Sequence, residues 1–352
     1  MSWKKEGFGT APSGQEVYKY TLMNAGGASA AFTDLGGIWL EMKVPDRDGA
    51  IDDVILGWGS AAECLTNSGH LGEIVGRNAN RIGGAAFTLN GKEYRLTKND
   101  GANNLHSGLD FYRKRVWGAS VAEKKGAVSI MFTLESPDGD QGYPGNAQIA
   151  VTYTLTDENA LRIDYHMTCD ADTIANFTNH AYFNLAGQAA GTIAEQLVWI
   201  DADSYTVASA DSIPTGEIAP VAGTPMDFTE KKAIGRDIDA DFQTLKDAGG
   251  YDHNWVLRHA PGELALSVVA EDPGTGRVME VYTDLPGVQF YTANGFKPAL
   301  SKDGVTVYQS RGGYCFETQY FPDAVNKPNF AGPVLKKGEE YKTTTVYQFR
   351  VS

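Results

Sequence analysis

Apolar and polar residues alternate along much of this chain. In the run Leu161-Arg162-Ile163-Asp164-Tyr165-His166-Met167, Leu161, Ile163, Tyr165 and Met167 share one face. Period-two alternation between turn residues predicts half-buried antiparallel strands. Similar runs cover 128–134, ahead of Ser136-Pro137-Asp138-Gly139-Asp140, and 147–155, ahead of Asp157-Glu158-Asn159. The stretch 343–351 is again β-branched and aromatic, which favours a strand. Helical periodicity is weak and predicts only short pieces, near Ala61–Asn67 and Glu230–Asp237. Many short strands with few helices predict an all-β fold, a sandwich or a barrel. Length alone suggests about two domains. No Pro/Ser-rich linker, low-complexity tract or repeat divides the chain, so 1–352 is expected to be a single domain.

Composition narrows the partners. Asp and Glu number 44 against 30 Lys and Arg, a net charge of -14. Such a surface repels nucleic acid and anionic membranes but not a neutral ligand. The N-terminal residues Met1-Ser2-Trp3-Lys4-Lys5-Glu6 lead into no apolar stretch, so no signal peptide is expected and the expected location is cytoplasmic. Three widely spaced cysteines, Cys64, Cys169 and Cys315, predict buried thiols and neither disulfides nor a zinc knuckle. The sequon Asn176-Phe177-Thr178 is expected to be coincidental.

Six polar blocks look unlike strand packing. They are 76–84, 99–108, 176–185, 250–254, 286–292 and 313–323. Each mixes amides, imidazole, guanidinium or carboxylate with aromatic rings. That mixture suits a neutral polyhydroxyl ligand, because polar groups bond hydroxyls and ring faces cover C–H surfaces. Any one block could also be a turn or a satisfied buried cluster. As a strand, the third block sends Thr178, His180, Tyr182 and Asn184 one way and Phe177, Asn179, Ala181 and Phe183 the other. In the sixth, Cys315, Glu317 and Gln319 share a face. The faces carrying His180 and Glu317 could converge. No HExxH spacing points to a metal, and Gly57-Trp58-Gly59 precedes no helix pattern, so it is no dinucleotide motif.

In order, the segments Gly76-Arg77-Asn78-Ala79-Asn80-Arg81-Ile82, Thr178-Asn179-His180, Tyr251-Asp252-His253-Asn254, Pro286-Gly287-Val288-Gln289-Phe290-Tyr291-Thr292 and Glu317-Thr318-Gln319 resemble those of the aldose 1-epimerase (galactose mutarotase) family. The resemblance spans about Thr21 to Phe349. It implies a large antiparallel β-sandwich with an open sugar-binding cleft, and exchange of the α and β anomers of free hexoses without metal or organic cofactor. By motif position, Glu317 resembles the family's general base, His180 its general acid and His106 its second active-site imidazole. Asn80, Arg81, Asp252 and Gln289 resemble sugar-binding residues. The resemblance implies a monomer or homodimer whose partner is a small sugar. Two stretches differ from the family pattern and bear on sugar preference: Ser107 follows His106 where glycine is more usual, and 109–117 carries an aromatic pair. His70, His166, His253 and His259 are expected to be structural.

Anomer exchange opens and recloses a hemiacetal ring, which needs a base at the C1 hydroxyl and an acid at the ring oxygen. A positioned acid or base contributes about 10²–10⁴-fold. An ordinary glutamate is ionised at neutral pH and an ordinary histidine is mostly neutral, so nearby carboxylates are expected to raise the working histidine. Alternative readings are a mutarotase of phosphorylated hexoses, using a basic cluster such as Arg113-Lys114-Arg115, which otherwise forms a solvated strand face or turn; a non-catalytic carbohydrate-binding module; and a glycosidase using Asp252 and Glu317.

Overall fold

The alternating runs form antiparallel strands in a computed structural model, which describes residues 1–66 and 69–352. Ala127–Ser136, Ala147–Thr156, Ala160–Cys169 and Glu340–Val351 lie side by side in a nine-stranded sheet. Its order is Gly118–Lys124, Ala127–Ser136, Ala147–Thr156, Ala160–Cys169, Glu340–Val351, Arg277–Thr283, Ala265–Glu271, Leu197–Ile200 and Lys232–Ala233. The predicted faces hold: Leu161, Ile163, Tyr165 and Met167 are buried, while Arg162, Asp164 and His166 are only half-buried. Register carries the pattern across the sheet, since Ile163 lies opposite Tyr153 and Thr345.

Two five-stranded sheets accompany this one. The first runs from Ser2–Thr10 through Glu16–Met23, Ser29–Thr33 and Trp39–Pro45 to Ile51–Asp53. The second has the order Pro214–Pro220, Ser204–Ala208, Asp252–Val256, Gly287–Tyr291 and Cys315–Gln319. One aromatic-rich core joins all three. Tyr347 of the large sheet packs against Trp39 at 5.6 Å and Phe183 at 5.1 Å between ring centroids. Its hydroxyl donates to the Phe316 carbonyl at 3.1 Å. The Thr318 and Thr345 hydroxyls meet at 2.6 Å. One face of Cys315–Gln319 is therefore glued to the large sheet, and its other face is left for the site. The architecture is all-β, as expected, with antiparallel sheets.

Of the two expected helices, one is found and one is not. The first helix spans Ala61–Thr66, and the expected last residue, Asn67, lies outside the described residues. The segment expected as a second helix, Glu230–Asp237, instead holds the edge strand Lys232–Ala233 and a 3₁₀ turn, Ile234–Arg236. The Lys232 ammonium is buried there, donating to the Pro225 carbonyl at 2.6 Å and to Asp237 at 2.8 Å. The second helix is Gln243–Ala248, closed by Gly249 at φ +69°. The three cysteines are unpaired and buried, as expected. Asn176 is buried too, so the sequon is not a glycosylation site.

Candidate active site

Three local devices bring distant polar blocks together. Thr178–Asn179 pairs with Ile74–Val75, and the His180 amide donates to the Glu73 carbonyl at 3.0 Å. Three residues on, Phe183 and Tyr314 exchange backbone bonds at 2.7 and 3.0 Å, which clips the His180 segment to the strand carrying Glu317. The pair Arg81–Ile82 with Asn104–Leu105 then sets His106 beside Asn80. Asn80, His106 and Ser107 all adopt left-handed backbone, at φ +61°, +53° and +58°. Non-glycine residues rarely hold that conformation, and strain of this kind gathers at functional sites.

The outcome is a cavity of about 350 Å³, at the small end of the roughly 300–1,000 Å³ range of ligand pockets. Asn80, Arg81, His106, His180, Asp252 and Glu317 all line it. Gln289 does not. In the second five-stranded sheet Asn254, Gln289 and Glu317 form one cross-strand row. From that row Gln289 donates to the Asp252 carboxylate at 2.7 Å, so it holds Asp252 from behind. Tyr182, Tyr291 and Phe296 add aromatic walls, and Lys297 stands exposed at the rim.

His180 Nε2 lies 3.6 Å from Glu317 Oε1, and the two residues are 4% and 2% exposed. Glu317 Oε2 is buried with no hydrogen-bond partner among the described residues. Burial and the neighbouring Asp252 charge push the Glu317 carboxyl up to about 8. Burial, with His70 close by, pushes His180 down to about 3. The expected raising of the histidine by carboxylates is overturned. Desolvation disfavours charge on both partners, and a carboxyl kept protonated cannot draw a proton onto its neighbour. His106 is likewise held low by burial and by His70 and His180. The Asn80 amide donates to His106 Nδ1 at 3.1 Å, which places the neutral ring's proton on Nε2.

Arg81 donates from Nε to Asp100 at 2.8 Å, and its charge pulls back on the Glu317 carboxyl. Cys315, expected to be merely apolar, has Sγ 3.4 Å from His180 Nδ1. The ligand atoms of His106, His180 and Glu317 lie within 4.8 Å of one another and are the described residues that could hold a divalent cation.

The two stretches that differ from the family pattern have unequal fates. Ser107 does not line the cavity: its hydroxyl donates to Asn78 O at 3.1 Å and accepts from Asn78 N at 2.9 Å, a local compensation for left-handed backbone. Arg113, Lys114 and Arg115 form no solvated face. Arg113 is buried against Glu73, Arg115 is held by Asp140 and Asp110, and Lys114 caps the Leu109 carbonyl. His70, expected to be structural, lines the cavity 4.9 Å from the His106 ring and 5.7 Å from that of His180. Its spacing to Glu73 was the only sequence cue. His253 is structural, with Nε2 2.7 Å from the Thr244 hydroxyl.

The family model described as Aldose 1-epimerase matches residues 18–348. The chain is 39% identical over 345 residues to "Galactose mutarotase" of Sus scrofa, covering 98% of each. It is 35% identical over 344 residues to "Aldose 1-epimerase" of Escherichia coli K12, covering 96% of this chain and 97% of that one. Among solved structures, an aldose epimerase homologue from C. elegans superposes with TM-score 0.83 at 28% identity, over 94% of this chain and 98% of that one. Galactose 1-epimerase from Lactobacillus acidophilus NCFM shares the fold with TM-score 0.88 at 24% identity, over 100% and 99%. The chain belongs to the aldose 1-epimerase family.

Proposed function

We propose that this enzyme interconverts the α and β anomers of free hexoses such as galactose and glucose, with Glu317 and His180 moving the protons. The observation that carries the reading is the buried carboxyl–imidazole pair, 3.6 Å apart on a cavity of about 350 Å³. Between them the two groups hold one proton over the neutral range. When it sits on His180, Glu317 is the base for the C1 hydroxyl and the imidazolium the acid for the ring oxygen. The ring opens, and the proton now rests on Glu317. Rotation about C1–C2 turns the aldehyde, and the ring oxygen attacks its other face. The carboxyl then returns its proton to O1 as the imidazole takes one from the hydroxyl that closes the ring. The pair ends as it began, so the reaction calls for no cofactor or metal. Burial favours the neutral arrangement, in which the carboxyl carries the proton. Sugar hydroxyls and Arg81 supply the dipoles and charge that make the ionised arrangement reachable.

His106, with its proton on Nε2, donates to a sugar oxygen. Asn80, Arg81 and Asp252 bind hydroxyls, and Gln289 fixes Asp252. Tyr182, Tyr291 and Phe296 cover the apolar face of the ring. A phosphorylated substrate is disfavoured because Arg113 and Arg115 already bind carboxylates. A binding module would have no use for a carboxyl held near 8 beside an imidazole. We infer further that the chain acts as one unit, as a monomer or homodimer, in the cytoplasm and without nucleic-acid or membrane partners. Its net charge of -14 and its three unpaired cysteines support this. Among the described residues no helix is long and apolar enough to cross a membrane. Anomer exchange followed by NMR on galactose, glucose 6-phosphate and an oligosaccharide tests the reading. Rapid exchange of galactose with intact glycosidic bonds is expected; glycosidic cleavage, or exchange of the phosphate ester alone, overturns it.

A further inference from the structure

A third imidazole faces the cavity with its orientation held from behind. His70 Nδ1 lies 3.0 Å from Glu73 Oε2. Glu73 Oε1 accepts from Arg113 Nη1 at 3.0 Å. Arg113 in turn stacks on Phe111, 4.3 Å from the ring centroid, and Phe111 meets His70 edge-on at 4.9 Å. Glu73 and Arg113 are 2% and 8% exposed. Burying such a pair gains little stability, because desolvation offsets the attraction.

What the pair does do is settle the His70 tautomer. Arg113 Nη1 also approaches Nδ1, at 3.4 Å, but the carboxylate is closer and can only accept. The ring proton is therefore on Nδ1, and Nε2 is an acceptor with no hydrogen-bond partner among the described residues. His106, 4.9 Å away ring to ring, has the opposite arrangement and presents Nε2–H. An imidazole acceptor and an imidazole donor thus stand side by side on one wall, which matches neighbouring hydroxyls of a pyranose.

We propose that His70 is a specificity-determining residue that accepts a hydrogen bond from one sugar hydroxyl, with Glu73 and Arg113 as positioning residues acting through it. This rests on the mutarotase reading and narrows its substrate class to aldoses bearing a free hydroxyl at that position. It also gives the unusual 109–117 segment a purpose, since Arg113 comes from it.

The test is steady-state mutarotation of galactose and its 2-, 3-, 4- and 6-deoxy analogues by wild type, His70→Phe, Glu73→Gln and His70→Phe/Glu73→Gln, with melting curves for each. Wild type should discriminate against one deoxy position by about tenfold or more. His70→Phe keeps an aromatic ring without the acceptor. It should raise galactose KM about tenfold, change kcat less than threefold, and erase that discrimination. Glu73→Gln should act in the same direction and add nothing in the double variant. An unchanged KM with discrimination retained in His70→Phe overturns the proposal, whether or not Glu73→Gln folds. Absence of wild-type mutarotation would instead overturn the enzymatic reading beneath it.

Discussion

Replacing Glu317 by glutamine should make the protein more resistant to alkali while disabling it. The carboxyl is buried and lies at about 8 instead of an ordinary 4.5. Because the folded value is raised, the fold favours the protonated form. Its stabilising contribution is complete below 4.5 and is lost progressively as pH climbs through 8. At roughly 1.4 kcal/mol per pH unit of displacement, the loss is on the order of 5 kcal/mol, a large part of the about 5–15 kcal/mol that holds a domain folded. Part of that loss is already complete at pH 5, so with about 2.1 cal/mol/K of unfolding entropy per residue a chain of 352 residues should melt about 5 °C lower at pH 9 than at pH 5 on this account alone. Glutamine cannot ionise, so Glu317→Gln should lack that component while every other titrating group stays in place. Melting curves from pH 5 to 9, wild type against Glu317→Gln, measure the difference directly. Parallel curves across that range would refute the claim that the site holds a strained, neutral carboxyl.

Other consequences can be measured as readily. The pair must hold one proton to work, so kcat/KM should fall about tenfold per pH unit above pH 8 and stay level between pH 5 and 7. A break near 6.5, the ordinary imidazole value, would contradict the burial argument for His180. The His180 value is depressed, so that residue destabilises the fold as pH drops below 6.5; His180→Asn should soften the acid limb of the melting profile. Gln289→Leu removes the 2.7 Å bond to Asp252 and should raise KM about tenfold, in line with bonds to charged groups, with a smaller effect on kcat. An unaltered KM would mean that Asp252 needs no such support.

The strands could be read from the chain because alternation is a local signal and the large sheet obeys it. The run 161–167 buries the side that its pattern names. The helix Gln243–Ala248 could not, since six residues carry less than two turns of periodicity and its end depends on the backbone of Gly249. Convergence of His180 and Glu317 was visible only as two strand faces; the Phe183–Tyr314 bridge that aligns them is a contact between distant segments. The direction of the histidine shift was missed for a similar reason. Sequence shows which charges exist, whereas desolvation depends on the whole enclosure. Ser107 looked like a specificity change because it adjoins His106, yet its hydroxyl faces Asn78. His70 was overlooked because its partner Arg113 lies forty residues beyond Glu73.

The central claim is that one carboxyl and one imidazole pass a shared proton across a single hemiacetal. Polarimetry of freshly dissolved α-D-galactose at pH 7, with wild type, Glu317→Gln and His180→Asn at equal concentration, tests it most directly. The account predicts a rapid approach to anomeric equilibrium with wild type and turnover at least about a hundredfold slower with either variant. Relaxation no faster than buffer with wild type, or variants that keep pace with it, would contradict the claim.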